Sequence, residues 1–170
     1  MIFDRASGMC RTLNPEPRPP FMPTSDEPWT WQCENKFPSD TRTGRRILEE
    51  VLRELELQHW TQRDIFCVHL AVYEALINAI VHGNQEDLGK KVHFVCRLSP
   101  RRVHVEITDE GPGFAPDSLP DPTDDAFLDK PGGRGVLLMR AFMSRVSFNP
   151  PGNHVILERD RSDAARASTK

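Results

Sequence analysis

Alternation of apolar and polar positions predicts five β-strands along the chain. Two neighbouring stretches alternate strictly, "KVHFVCRL" and "RVHVEITD", and place every second side chain on one face of a sheet. A short turn joins them as a hairpin. Weaker alternation predicts an earlier strand in "WTWQCENKF" and two closing strands in "RVSFN" and "HVILER". Strands that pair as hairpins favour a largely antiparallel sheet.

Apolar residues at helical spacing predict three helices beside these strands. Ser39 and Asp40 are typical N-terminal caps of a helix that reaches about Leu57. Thr61 begins a second, longer helix that Gly83 ends, and "VLLMRAFMS" forms the third. Helices grouped apart from hairpin strands predict an α+β fold. It is a two-layer sandwich in which about three helices cover one face of a mostly antiparallel mixed sheet.

The composition of the 170 residues is typical of a soluble globular domain, with 38% hydrophobic and 28% charged residues. A net charge of -3 argues against non-specific nucleic-acid binding, which needs a basic excess. No apolar run approaches the roughly 18 residues of a membrane span, and Asp4 and Arg5 stand where a signal peptide would be apolar. The four scattered cysteines indicate neither a zinc site nor a disulfide framework. We therefore expect a cytoplasmic protein.

Proline divides the chain into an arm and a domain. Residues 1–28 contain "NPEPRPPFMPTSDEP", and because proline blocks helix and sheet hydrogen bonds, we expect a flexible N-terminal arm there. Residues 29–160 carry all the periodic segments and form one domain. Residues 161–170 are small and polar, so we expect a frayed C-terminal tail.

Three polar residues interrupt the apolar second helix at intervals of four. Glu74, Asn78 and His82 therefore lie in one row along the helix. The row has two interpretations that the spacing leaves open. It is either a solvated helix edge, or a groove in which Glu74 accepts a proton and Asn78 offers an oxygen to a hard cation such as Mg²⁺.

Asp109 ends the strand "VEITD" on the face that we assign to the core. A carboxylate in that position needs a hydrogen-bond donor, since an unpaired buried charge is costly. The exocyclic amino group of adenine is one such donor, although Asp109 could also simply form the turn that follows. The sequence "GPGF" after it favours a ligand, because Gly111 and Gly113 let the backbone approach a flat ring.

Glycines also precede the third helix, in "PGGRG". Gly132, Gly133 and Gly135 would leave backbone N–H groups at a helix N-terminus open to an anion, although glycine there is also ordinary loop chemistry. The motif is neither a Walker A loop nor a dinucleotide fingerprint. Residues 115–131, which precede it, are long for a simple connection and are predicted to form a mobile lid.

The order of these motifs resembles that of the Bergerat-fold ATPases. A helix with E-x-x-x-N-x-x-x-H-G precedes a strand ending in D-x-G-x-G-F, then a lid, then G-x-G at the start of a helix. Within that superfamily, "YEALINAIVHGN", "ITDEGPGF" and "GGRGVLLMRAFMSRV" are similar to the anti-sigma factor serine/threonine kinases. The resemblance covers about residues 29–159. Ser144 departs from the pattern, since many members of the family have an aspartate there.

The resemblance implies a role for each candidate residue. Glu74 is the general base, Asn78 is the ligand of Mg²⁺, and Asp109 recognises the adenine of ATP. The residues that shape the pocket or lie near the phosphates are Gly111, Gly113, Arg134 and Gly135. His82 receives no chemical role.

The resemblance also implies an activity and partners. The protein would be an ATP-dependent serine/threonine kinase that phosphorylates a small antagonist (an anti-anti-sigma protein), sequesters a sigma factor and forms a homodimer. One alternative is a catalytically silent module whose binding of partners depends on ATP. A detached catalytic domain of a histidine kinase is less favoured, because the chain lacks a dimerisation helix with a phosphoacceptor histidine.

Overall fold

The computed structural model describes residues 28–113 and 134–162. The predicted lid at 115–131, together with Gly132 and Gly133, lies outside the described residues. So do the N-terminal arm, apart from Pro28, and the C-terminal tail, apart from Arg161 and Ser162.

Five antiparallel strands form one sheet in the described part of the chain. Their order is β1-β2-β3-β5-β4, so that β1 and β4 are the edges. The long hairpin of β2 and β3 lies at the centre, and Val92 of β2 pairs with Asp109 of β3. The strands are β1 (Trp31–Pro38), β2 (Lys91–Leu98), β3 (Arg102–Asp109), β4 (Arg145–Phe148) and β5 (His154–Asp160). The predicted sheet is confirmed.

Within residues 28–113 and 134–162, three α-helices cover one face of this sheet, as the sequence predicts. They are α1 (Thr41–Leu57), α2 (Gln62–Ile77) and α3 (Arg134–Phe142). Two of the three predicted cap residues are caps: Asp40 accepts a hydrogen bond from Thr43 N at 3.1 Å, and Thr61 Oγ1 accepts one from Asp64 N at 3.1 Å. Ser39 is not a cap, and its Oγ accepts a hydrogen bond from Asn84 instead. The third helix begins two residues earlier than predicted, and Gly135 is therefore part of its first turn.

The core lies between these helices and the sheet. Alternate residues of β2 face it and are fully buried, as the strict alternation predicts. These residues are Val92, Phe94, Cys96 and Leu98. On β3, Val103, Val105 and Ile107 share this face, and Asp109 comes next in the same series. At the C-terminal end of β3, the core therefore ends in the half-buried carboxylate of Asp109.

The end of the second predicted helix differs from a regular α-helix. Residues Asn78–Gly83 form a π-helical segment, and Asn84 N donates to Ala79 O at 2.9 Å across five residues. A π turn holds more residues than an α turn. The predicted row of polar side chains at intervals of four is therefore interrupted after Asn78, and His82 is exposed.

The second helix also corrects one expectation. By length and composition alone, residues Gln62–Gly83 meet the requirements of a membrane span, so the expectation that no apolar run approaches that length is wrong. Half of this apolar stretch is buried inside the protein, and Val68, Ala71 and Val72 are fully inaccessible to solvent. Because central core helices have the same composition, the finding is weak support for a membrane segment.

Candidate functional site

The start of α3 lies directly against Glu74 and Asn78. A methyl group at Gly135 would lie 2.8 Å from Oε2 of Glu74 and 3.3 Å from Nδ2 of Asn78. These distances are shorter than van der Waals contact, so glycine at this position is what allows the close approach. The structure thus brings together three residues that the sequence predicts as one site.

The positive end of a helix dipole therefore meets a carboxylate and an amide. Backbone N–H groups in the first turn of a helix lack partners within the helix, and they attract anions. Arg134, the first residue of α3, is exposed and adds a positive charge beside Gly135. This end of the site is suited to an anionic group such as a phosphate.

The second part of the site surrounds Asp109. The carboxylate Oδ1 accepts a hydrogen bond from Gly111 N at 2.8 Å. A methyl group at Gly111 would lie 2.7 Å from Oδ1, and one at Gly83 would lie 2.5 Å from Cγ of Asp109. Backbone from two separate segments therefore encloses the carboxylate, and both segments need glycine in order to approach it.

Burial raises the pKa of Asp109 above its ordinary value. The hydrogen bond from Gly111 N–H and the positive charge of Lys90 oppose this shift without cancelling it. An acceptor that is partly removed from water in this way gains from a ligand that brings its own donor. The environment of Asp109 thus favours recognition of an amino group.

Gly83 ends the helical segment, as the sequence predicts. The residues of this turn with left-handed backbone are Gln85 and Glu86, with φ of 59° and 56°. Gly83 is instead required by its contact with the carboxylate of Asp109.

Gly113 contacts the turn between β4 and β5. Its φ of 77° is a backbone conformation that favours glycine, and a Cβ atom there would overlap the carbonyl of Pro151. Asn153, in the same turn, donates from Nδ2 to Asp109 O at 3.0 Å. This turn therefore supports the end of β3 from the side of β5.

The π-helical segment connects the two parts of the site. It begins at Asn78, beside α3, and ends at Gly83, beside Asp109. At a helical rise of 1.5 Å per residue the two ends are at most about 8 Å apart along the axis. One small ligand can therefore contact an amino-recognising carboxylate and an anion-binding helix terminus together.

The protein oxygens at this site could bind Mg²⁺ only if a bound ligand, such as a phosphate, supplied further oxygens. Among the described residues, no group of three or more His, Cys, Asp and Glu side chains could hold a metal ion. The amide oxygen of Asn78 is a hard donor next to the predicted phosphate position. Mg²⁺ commonly takes one or two protein oxygens and completes its shell with water and phosphate oxygens, so a single amide is compatible with it.

Sequence reasoning did not identify Asn84 as part of this region. Its side chain is fully buried and contacts three segments of the chain, among them the residue after Asp109. An asparagine after a glycine is so common in turns that the sequence carries no signal of this role.

The fold and the site together define an α+β domain with a half-buried carboxylate at the end of a central strand, near the start of a helix. The histidine kinase-like ATPase domain family matches residues 37–159. The chain belongs to this family, which confirms the resemblance found in its motifs.

Two similar proteins have names that agree with this assignment. The serine/threonine-protein kinase BtrW of Bordetella bronchiseptica is 33% identical over 91 residues, which are 52% of this chain and 64% of that protein. Anti-sigma F factor of Bacillus subtilis is 32% identical over 93 residues, which are 52% of this chain and 62% of that protein. Each match thus spans less than two thirds of the length of the relative.

A solved structure supports the fold. The RsbU and RsbW domains of Rv1364c from Mycobacterium tuberculosis superpose with a TM-score of 0.51 at 18% identity. The superposition covers 78% of this chain and 32% of that chain.

Proposed function

We propose that this protein is an ATP-dependent serine/threonine kinase of the anti-sigma type. One observation carries the proposal: the half-buried carboxylate of Asp109 is enclosed by Gly83 and Gly111, next to a helix terminus suited to phosphate. ATP has the matching chemistry, because its adenine carries an exocyclic amino donor at one end and its phosphates are anionic at the other. Membership of the ATPase-domain family supports the choice of ATP.

In this proposal the adenine amino group donates to Asp109, and the phosphates lie near Arg134 and Gly135 at the start of α3. Asn78 holds the magnesium ion through its amide oxygen. When bound, the ion neutralises charge on the phosphates, which lowers the barrier to phosphoryl transfer.

Glu74 is proposed as the general base. Its carboxylate lies one turn before Asn78, at the start of α3, where the terminal phosphate would be. The bond between the γ-phosphorus and the oxygen that bridges it to the β-phosphate breaks, and ADP leaves. A new bond forms between the γ-phosphorus and the serine or threonine oxygen of the acceptor, whose hydroxyl proton passes to Glu74.

The proposed acceptor is a small antagonist protein of the anti-anti-sigma type, and the proposed binding partner in the other state is a sigma factor. The names of the two relatives, a serine/threonine kinase and an anti-sigma factor, support these partners. We also propose a cytoplasmic location and a homodimer, which the resemblance to the anti-sigma kinases implies.

Replacement of Glu74 tests this proposal. With γ-labelled ATP and candidate antagonist proteins, Glu74→Gln should slow transfer by about 10²–10⁴-fold while the affinity for ATP is retained, since glutamine cannot accept the proton. Glu49→Gln, an exposed position on α1, is the matched control and should transfer at the native rate.

Two results would count against the kinase. Transfer at the native rate by Glu74→Gln would remove Glu74 as the base. A native protein that binds ATP and an antagonist tightly but transfers no phosphate would be the ATP-gated binding module instead.

A further inference from the structure

Asn84 is a buried amide at the junction of the two segments that enclose Asp109. It directly follows the π-helical segment, and its side chain has no exposure to solvent. A buried carboxamide is costly unless its donors and its acceptor are all used. The contacts of this side chain therefore indicate what it does.

Three hydrogen bonds use both ends of the amide. Nδ2 donates to Ser39 Oγ at 2.7 Å and to Lys91 O at 2.9 Å, and Oδ1 accepts from Glu110 N at 2.8 Å. Only this orientation satisfies the backbone, because the carbonyl of Lys91 can only accept and the N–H of Glu110 can only donate. The side chain thus joins the residue after β1, the first residue of β2 and the residue after β3.

These contacts fix the surroundings of Asp109 from both sides. Gly83, which precedes Asn84, contacts the carboxylate of Asp109, and Gly111, which follows Glu110, donates to that carboxylate. The hydrogen bond between Asn84 and Glu110 therefore fixes the distance between the segment of Gly83 and the segment of Gly111. A second bond from Lys91 N to Glu110 Oε2 at 2.8 Å reinforces the same turn.

We propose that Asn84 is a positioning residue for base recognition, which sets the place of the Asp109 carboxylate without touching the nucleotide. The proposal rests on the proposed function, since it takes adenine as the ligand of Asp109. It adds a specificity determinant: the preference for a base with an exocyclic amino group depends on the Asn84 amide.

A positioning role and a merely structural role predict different results. If Asn84 only stabilises the fold, its replacement lowers the unfolding temperature, and the folded fraction binds every nucleotide as before. If Asn84 positions Asp109, its replacement weakens only the contact that Asp109 makes. A nucleotide that lacks the amino group reports this difference, because it never makes that contact.

The experiment compares ATP with purine riboside triphosphate, in which hydrogen replaces the 6-amino group. Binding is measured by calorimetry with Mg²⁺ at a temperature at which circular dichroism shows every variant folded. The hydrogen bond between the 6-amino group and the charged carboxylate of Asp109 should make the wild-type protein bind ATP about 10- to 100-fold more tightly than purine riboside triphosphate. Asn84→Asp has the same shape but puts an acceptor against Lys91 O, and should reduce this preference at least about fivefold.

Two further variants keep the test decisive. Ser39→Ala removes one acceptor of the Asn84 amide and should also reduce the preference for ATP, by a smaller factor. If Asn84→Asp does not fold, the result for Ser39→Ala decides whether the proposal holds. Ser99→Ala is the control. Ser99 is also buried and bonded to backbone N–H groups of Arg101 and Arg102, but it lies at the far end of β2. It should leave the preference unchanged.

The outcomes separate this proposal from the proposed function. If the wild-type protein shows no preference for ATP, or Asp109→Asn retains the preference, the assignment of adenine to Asp109 fails. If the preference depends on Asp109 but persists in Asn84→Asp, or in Ser39→Ala where that variant decides, Asn84 does not position the carboxylate and the proposal is overturned.

Discussion

The Asp109 carboxylate opposes folding in the unliganded protein. Because burial raises the pKa of this carboxyl group, the folded protein holds its proton more tightly than the unfolded chain does. Its contribution to stability is present below the unfolded pKa and is lost as the pH rises through the folded pKa. At neutral pH the ionised carboxylate of the unliganded protein is therefore a net cost.

This cost predicts that Asp109→Asn stabilises the protein in the absence of nucleotide. Asparagine can still accept the hydrogen bond from Gly111 N but carries no charge. Thermal unfolding at pH 7 should show a higher midpoint for the variant than for the wild type. The difference should disappear in acid, where Asp109 is protonated. A lower midpoint for the variant at pH 7 would refute this account of the carboxylate.

Gly135 is predicted to matter for transfer more than for stability. In Gly135→Ala the new methyl group would displace the carboxylate of Glu74, which is the flexible end of a side chain. The free energy of unfolding should change by no more than about 1 kcal/mol, since alanine also favours the helix. Phosphate transfer should fall by about 100-fold, because a small displacement of a catalytic group is costly.

The matched control is Ala141→Ser, at an exposed position on the same helix. It should leave both quantities unchanged. A Gly135→Ala protein that transfers phosphate at the native rate would show that Glu74 does not need its present position.

At the scale of the elements, an ion pair with a fully buried carboxylate joins α2 to the last strand. Arg159 of β5 donates to Oδ1 of Asp64 from Nε at 3.0 Å and from Nη2 at 2.6 Å, and it also donates to Phe142 O at the end of α3. Burial alone would raise the pKa of Asp64, but hydrogen bonds from Ser162, Arg159 and Thr61 outweigh it and hold the pKa below its ordinary value.

Loss of Asp64 should therefore be strongly destabilising. Asp64→Ala leaves the mostly buried guanidinium of Arg159 without its carboxylate partner, which costs about 3–5 kcal/mol in the free energy of unfolding. Urea denaturation at pH 7 measures the loss, with the exposed Asp87→Ala as control. Since the pKa is lowered on folding, the stabilisation by Asp64 is present above the unfolded pKa and disappears in acid. A loss below 1 kcal/mol would contradict the pairing.

Local pattern was enough to predict the elements but not the contacts between them. Strict alternation predicts β2 and β3 to the residue, because one face of each strand is buried and the other, apart from His104 of β3, is more exposed. The pairing of Asp64 with Arg159 joins positions 95 residues apart, and no local periodicity reports it. The π turn after Ile77 is equally absent from the pattern, since its hydrogen bonds depend on how Asn84 is held.

The site was predicted in the same partial way. Glu74 and Asn78 are recognisable because polar residues stand out in an apolar helix, and Asp109 because it ends an alternating strand. The closeness of Gly83 to Asp109 depends on how the helix end packs on the sheet. Only the three-dimensional structure shows that contact.

At the scale of the whole molecule, the exposed edge of the sheet bears on the predicted homodimer. β1 is an edge strand, and Trp29 beside it is 43% exposed. Leu57, at the end of α1, is 65% exposed. Light scattering at micromolar concentration should give the mass of a dimer, and Trp29→Ala should shift it toward the monomer. Leu88→Ala, an exposed apolar residue outside the helices and strands, should not. A monomeric wild-type protein would contradict the prediction.

The central claim, that Asp109 recognises the adenine of ATP, is tested most directly by calorimetric titration of the wild-type protein and Asp109→Asn with Mg-ATP at pH 7. We expect saturable binding to the wild type with one site per chain. We expect the variant to bind at least about tenfold more weakly. Both carboxylate oxygens of Asp109 can accept, one from Gly111 N and the other from the adenine amino group, whereas asparagine has only one acceptor oxygen. Equal affinity of the two proteins, or no binding of ATP by the wild type, would contradict the account.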